Sequence, residues 1–142
     1  MPQFSIREYD HDRDFNFIVN SWVKSYEISE WAKFMRPGLY RVYHRKQIES
    51  MLADRNDYRV TCRVAVNNHN KDQIYGYIVG SSGELPCLHF IYCKKIFRGI
   101  GVGQELFDSL GYAGKLEYSH FSPGLQRLLK GRGVYNPYRF FI

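Results

Sequence analysis

Arg98, Gly99, Gly101 and Gly103 stand at a spacing suited to holding an anion. They belong to the run Arg98-Gly99-Ile100-Gly101-Val102-Gly103-Gln104. Before it lies an apolar stretch, Leu88 to Cys93; after it Val102, Leu106 and Leu110 recur every four residues, with Phe107 widening the stripe. The first reads as a buried strand and the second as an amphipathic helix. A glycine within a helix costs about 1 kcal/mol against alanine, so three alternate glycines at this joint serve something other than helix stability. A helix N-terminus offers free N–H groups and the positive end of a dipole. Glycine removes the Cβ that would block a phosphate there, and Arg98 adds a charge-assisted donor. Strand, basic glycine loop and helix together read as a pyrophosphate cradle.

Spacing excludes two familiar cradles. Gln104 occupies the place of the third glycine in the dinucleotide fingerprint, and no Gly-Lys-Ser/Thr follows as a P-loop requires. The pattern that fits is R-x-x-G-x-G, as Arg98, Gly101 and Gly103, five residues past a strand ending at Cys93. This arrangement resembles the acetyl-CoA loop of the GNAT superfamily of N-acyltransferases. The test of that resemblance is the order of the elements that must position the loop.

At 142 residues, 44% hydrophobic and 24% charged, the chain reads as one globular domain, 1–142. The net charge of +6 suits an anionic cofactor, an acidic substrate or nucleic acid without choosing among them. Cys62, Cys87 and Cys93 form no C-x-x-C pair and read as buried free thiols of a cytoplasmic protein. The first residues lack the pattern of a signal peptide, and no apolar run reaches the roughly 20 residues of a membrane span. The five histidines show no ligand spacing, so no metal is expected.

Along the chain, Gln3 to Tyr9 reads as a first strand, and Asp10 to Asp14 supplies capping carboxylates for a helix with Phe15, Ile18, Trp22 and Tyr26 on one face. A second helical region follows, interrupted at Pro37-Gly38. Tyr58 to Val66 alternates at period two, Asn67 to Asp72 is a turn, and Gln73 to Gly80 is the returning strand of an antiparallel hairpin. After the glycine-loop helix come a strand from Leu116 to Phe121, a helix from Ser122 to Gly131, and an extended aromatic segment from Val134 to Ile142, broken by Asn136-Pro137. The sum is β-α-α-β-β-β-α-β-α-β, which is the GNAT order. The fold implied is α/β (α+β): a mixed, mostly antiparallel sheet with flanking helices, whose parallel strands 4 and 5 splay apart to admit acyl-CoA. The segment Tyr135-Asn136-Pro137-Tyr138 also resembles small acetyltransferase-like proteins of phages.

The resemblance implies an acetyl-CoA-dependent N-acetyltransferase acting on an amine by direct attack. Arg98, Gly99, Ile100, Gly101, Val102, Gly103 and Gln104 would hold the pyrophosphate. Ile91, Tyr92 and Cys93 would line the pantetheine arm and the acyl carbonyl. Relatives use a Glu on the fourth strand as base; this strand has none, and the nearest, Glu84, lies in the preceding loop. His89 is the alternative base, since period two places it on the face of Ile91 and Cys93. Leu129 falls where the family carries its acidic Tyr, leaving Tyr135, another group or unassisted departure for the thiolate. Trp22, Tyr26, Trp31, Tyr40 and Tyr43 lie in the region that roofs the acceptor site in relatives, and Trp22, Tyr26 and Trp31 are the candidate substrate contacts among them. The acceptor is a small molecule or protein, with no membrane involvement, and the chain is a monomer or homodimer. Two other readings stay open: a catalytically reduced member that binds acyl-CoA or a partner, and, less favoured, a basic aromatic nucleic-acid module built on Arg59, Arg63 and the strand tyrosines.

Overall fold

The computed structural model describes residues 3–27, 32–36, 38–54, 59–120 and 123–141. They form two compact units, Asp10–Tyr58 and Met1–Tyr9 with Arg59–Ile142. Among the described residues no helix is long and apolar enough to cross a membrane.

The helical unit pairs α1 (His11–Glu27) with α2 (Leu39–Ala53). Asp10 starts α1: its carboxylate accepts the Asp12 N–H at 3.1 Å, and its own N–H is taken by the buried Asp14 at 2.8 Å. Acidic residues in the first turn and Lys24 in the last oppose the helix dipole. Ile18, Val19, Trp22 and Val23 form the buried stripe of α1; Tyr40, Ile48, Met51 and Leu52 form that of α2.

The second unit is a six-stranded sheet in chain order: β1 (Phe4–Glu8), β2 (Val60–Asn67), β3 (Asn70–Ser81), β4 (Cys87–Cys93), β5 (Leu116–Tyr118) and β6 (Gly133–Tyr135). The first three pairings are antiparallel; β4–β5 and β5–β6 are parallel. Between β4 and β5 runs α3 (Val102–Ser109), and between β5 and β6 runs α4 (Pro123–Leu129). Element order and mixed sheet are those read from the sequence. β2 begins at Val60 because Arg59 takes a left-handed φ of 55°, while the Tyr58 included in that strand lies outside the described residues. β2 and β3 close on Asn68-His69, and the Asn67 side chain accepts the His69 N–H at 2.7 Å. Arg63, one of the cations behind the nucleic-acid reading, pairs with Glu8 at 2.9 Å and donates to the Ser109 carbonyl.

The core lies beneath α3, where Ile78 and Leu88 of the sheet meet Val102, Leu106, Phe107, Leu116, Leu125 and Leu129. Gly76 makes that approach possible. A Cβ there would press on the Tyr92 carbonyl oxygen and sit 3.3 Å from the Val102 side chain. The end of the chain differs from the extended segment read in the sequence. Asn136 stops β6, and Pro137–Phe141 is a 3-10 turn, because proline has no N–H for a ladder and the Asn136 side chain accepts the Tyr138 N–H at 3.2 Å. Glu117 fixes that turn through Arg139 at 2.6 Å and Asn136 at 3.0 Å, Arg139 also reaches the Leu85 carbonyl at 2.9 Å, and Phe140 is buried.

Replacing Gly76 by Ala forces a Cβ against fixed backbone, and overpacking of this kind costs about 1–3 kcal/mol. Thermal unfolding of Gly76→Ala is expected several degrees below wild type; an unchanged midpoint would show that α3 can retreat from the sheet at no cost.

Candidate functional site

β4 leads into the glycine loop through a short 3-10 turn, Lys95–Phe97. Lys94 N–H bonds the Tyr75 carbonyl at 2.9 Å, and the Phe97 ring stacks on Tyr75 with centroids 3.7 Å apart, so both ends of the turn are held to β3. Arg98 then folds its Nε onto the Cys93 carbonyl at 3.2 Å. Gly99 and Gly101 have φ of 89° and 90°, and no heavy atom lies within 4 Å of where a Cβ would stand on either. Left-handed backbone, rather than lack of room, calls for glycine at both. The helix begins only at Val102, so a single glycine of the three, Gly103, carries a helical cost.

The first intrahelical bond of α3 runs from Glu105 N–H to the Gly101 carbonyl at 3.0 Å. The N–H groups of Val102, Gly103 and Gln104 therefore precede the helical ladder, and Gly101 supplies no side-chain cap for them. Val102 is buried as an anchor beneath; Gly99, Ile100 and Gly101 are exposed. Gln104 turns its amide along the helix to Asp108 at 2.9 Å, which leaves its backbone as its contribution at this end. Gly103 differs from its neighbours. A Cβ there would meet Ile91 at 3.8 Å and Leu128 at 4.0 Å, ordinary contacts, and its φ is not left-handed. Neither backbone nor packing within the chain requires glycine at 103.

The other side of the site is an opening in the sheet. β5 pairs with β4 only at Cys87–Glu117 and Leu88–Tyr118, with one further bond from Ser119 N–H to the Leu88 carbonyl. Beyond Leu88 no described strand pairs with that edge of β4, so the backbone of Ile91 and Cys93 lies along a splay between parallel strands. The Ile91 and Cys93 side chains pack into the core under α3, and burial raises the Cys93 thiol pKa. Tyr92 points to the opposite face, its ring 5.5 Å from Tyr77.

His89 does not share the face of Ile91 and Cys93, contrary to the period-two reading. Phe90 pairs with Val79 and Leu88 with Gly80, so His89 is an extra residue with no partner in the register. This bulge shifts the alternation by one. Leu88 and Ile91 thereby both reach the core under α3, while His89 turns to the other face with Ser81. There it is fully buried, its Nε2 2.8 Å from Ser81 Oγ and its Nδ1 2.7 Å from Ser119 Oγ. Ser119 Oγ lies 3.0 Å from His120 Nδ1, and the Phe140 ring stands edge-on to both histidines. Burial, with the Arg139 charge second, depresses the His89 pKa to about 3. Its ring nitrogens are thus both engaged inside the unit rather than offered to the opening. Ser81 and Ser119, which hold it, were not singled out as its partners in the sequence, because only the sheet topology brings them together.

Tyr135 lies on β6, 47% exposed, with its ring 5.5 Å from Tyr118. Partial burial, then the neighbouring Tyr118 phenol, raises its pKa, so it keeps its proton at neutral pH. Leu129 is a core residue. In the helical unit Trp22 is fully buried and has no surface to offer a substrate, which corrects its placement as a contact residue. Tyr26 is half-buried and stacks on Tyr40 with centroids 3.9 Å apart; His44 continues the stack on Tyr40 at 4.1 Å. Trp31 lies outside the described residues.

Comparison with known proteins bears on the fold. No protein-family model matches the sequence, and no curated protein matches it either. Solved structures do match. A Corynebacterium glutamicum protein named histone acetyltransferase HPA2 and related acetyltransferase is 16% identical, with a TM-score of 0.65 over 91% of this chain and 83% of that one. An acetyltransferase from Clostridium acetobutylicum, solved with acetyl-CoA, is 16% identical, with a TM-score of 0.60 over 94% and 90%. A GNAT-family acetyltransferase from Staphylococcus aureus is 18% identical at a TM-score of 0.52, and the match spans 75% of this chain and 62% of that protein.

The burial of neutral His89 sets a pH dependence. Its folded pKa of about 3 lies below its unfolded value of 6.5, so the unfolded chain binds the extra proton as pH falls through 6.5. Stability is full above that value and declines below it, by about 1 kcal/mol per pH unit until the folded pKa is reached. His44, lowered to about 4 by burial, acts in the same direction. Urea unfolding midpoints are expected to fall between about pH 7 and pH 5, and less steeply in His89→Gln; an identical slope in that variant would remove His89 as the cause.

Proposed function

We propose that this chain, which has the fold of the GNAT-family acetyltransferases, binds an acyl-CoA and transfers its acetyl group to an amine. The observation that carries the reading is the pair of left-handed glycines that open the N-terminus of α3 at the end of a strand splayed from its parallel neighbour. The free N–H groups of Val102, Gly103 and Gln104 would receive the pyrophosphate, with Arg98 at the mouth. Gly103 supports this: with no demand from its own chain, a bare first turn serves what approaches from outside.

Acyl-CoA supplies an activated thioester; the chain supplies orientation and charge stabilisation. The edge of β4 past Leu88, where its pairing with β5 ends, would receive the pantetheine amides along Ile91 to Cys93 as a further strand would, and a backbone N–H next to the bulge would meet the oxyanion. The amine would attack as its free base, and the C–S bond would break as the C–N bond forms. Tyr135, holding its proton, would give it to the departing thiolate and be reprotonated from solvent, which takes up the proton the new amide nitrogen sheds. His89 enters as the residue that fixes the bulge, not as the base. A cytoplasmic setting accords with free thiols at Cys62, Cys87 and Cys93.

A second reading has an observation in its favour. With His89 sealed in the core and Leu129 at the family's Tyr position, the chain would bind acyl-CoA and turn it over slowly, as a sensor or partner-binding member.

Acetyl-CoA at about 100 times its dissociation constant stabilises a specific binder by about 2.7 kcal/mol, read as a rise in Tm. Arg98→Glu is expected to weaken the cofactor about tenfold or more without altering unliganded Tm. No rise at saturating acetyl-CoA would sink both readings. Release of CoA thiol with a panel of amines separates them, and in an active enzyme Tyr135→Phe lowers kcat about 10²-fold at constant KM.

A further inference from the structure

We propose that the outward face of α2, with the turn that leads into it, docks an acidic, apolar segment of a protein partner. The 3.6-residue period puts Leu39, Val42, Tyr43 and Lys46 on the side of α2 away from its buried stripe of Tyr40, Ile48, Met51 and Leu52. A helix that has buried one face ordinarily turns polar side chains outward. Here Leu39 is 39% exposed, Val42 62% and Tyr43 63%, and Phe34, in the turn just ahead, 81%. Single exposed apolar residues need no explanation, but a contiguous group of them marks an interaction surface.

The charge around this group is predominantly positive. From Ala32 to Glu49 there are five basic residues and one acid, the half-buried Glu49; Lys33, Arg36, Arg41 and Lys46 are exposed. Arg45 donates to the Asn20 side chain at 2.9 Å. The first turn of α2 holds no acidic residue and its Gly38 cap provides no side-chain bond, so the positive end of the helix dipole adds to the same field.

The composition selects the partner. Aromatic residues and Arg are enriched in protein interfaces, and the predominantly positive charge calls for carboxylates opposite. Single-stranded nucleic acid would stack on Phe34 and Tyr43 but leave Leu39 and Val42 without a role. A lipid surface wants a longer apolar face than the roughly 10 Å of helix from Leu39 to Lys46. A second copy of the same face would bring like charges together across a two-fold axis.

The test is fluorescence anisotropy of a fluorescein-labelled peptide of repeated Asp-Leu-Glu-Phe, titrated with the full chain and no cofactor, so that the outcome does not depend on acyl transfer. Saturable binding is expected, weakened by salt, and absent for the peptide with Lys in place of both acids. Arg36→Glu/Lys46→Glu and Val42→Ser/Tyr43→Ser should each raise Kd about tenfold or more while Tm stays unchanged, since all four side chains are outward. The proposal is overturned by no saturable binding, by equal binding in both variants, or by tighter binding to polyuridylate or to phosphatidylserine-containing vesicles.

Discussion

The one residue that β4 holds in excess of β3 governs much of the sheet unit. A strand that kept its period would send His89 and Ile91 to the same side. Because His89 is skipped in the register, Leu88 and Ile91 both face α3 and the core stays continuous beneath the helix. A bulge also bends its strand and sharpens the local twist. That is where β4 and β5 part: their pairing ends at Leu88, the residue just before the bulge. The polar ring displaced by the bulge would be a costly intrusion in a core, and two serines from the adjoining strand ends offset it with hydrogen bonds of 2.7 and 2.8 Å. Bulge, polar triad and splay are one arrangement.

The glycine loop is its counterpart at the far end of the strand. Three features hold it from below: the Lys94–Tyr75 backbone bond, the Phe97–Tyr75 stack, and buried Val102. At Gly99 and Gly101 its exposed surface is bare backbone. The site is thus anchored by large side chains and presented by small ones, which is what a rigid phosphate cradle needs, since preorganised donors avoid an ordering cost on binding.

Much of this was legible before any coordinates. Periodicity gave α1, β2 and the helix after the glycine loop, because hydrophobic spacing reports burial directly, and the apolar run Leu88 to Cys93 gave β4. The spacing of Arg98, Gly101 and Gly103 marked the loop. What escaped were features that arise between segments. An extra residue in a strand leaves no trace in composition, so the face of His89 was misread. Trp22 was offered as a substrate contact from the family's roof region, although it shares a helical face with Ile18, and that face is the covered one. Asn136-Pro137 marks a break in the last aromatic segment but not the 3-10 turn that follows it, because the Glu117–Arg139 pair that holds the turn joins residues far apart in sequence.

The order of the sheet has a consequence for how the protein is made. Its six strands lie side by side in the order of synthesis. Each new strand, as it leaves the ribosome, meets the open edge of the one before, and no later strand must insert between two already joined. The longest detour lies between β1 and β2, and the helices that fill it form from local contacts, the quickest kind. Assembly can therefore keep pace with translation, one edge at a time.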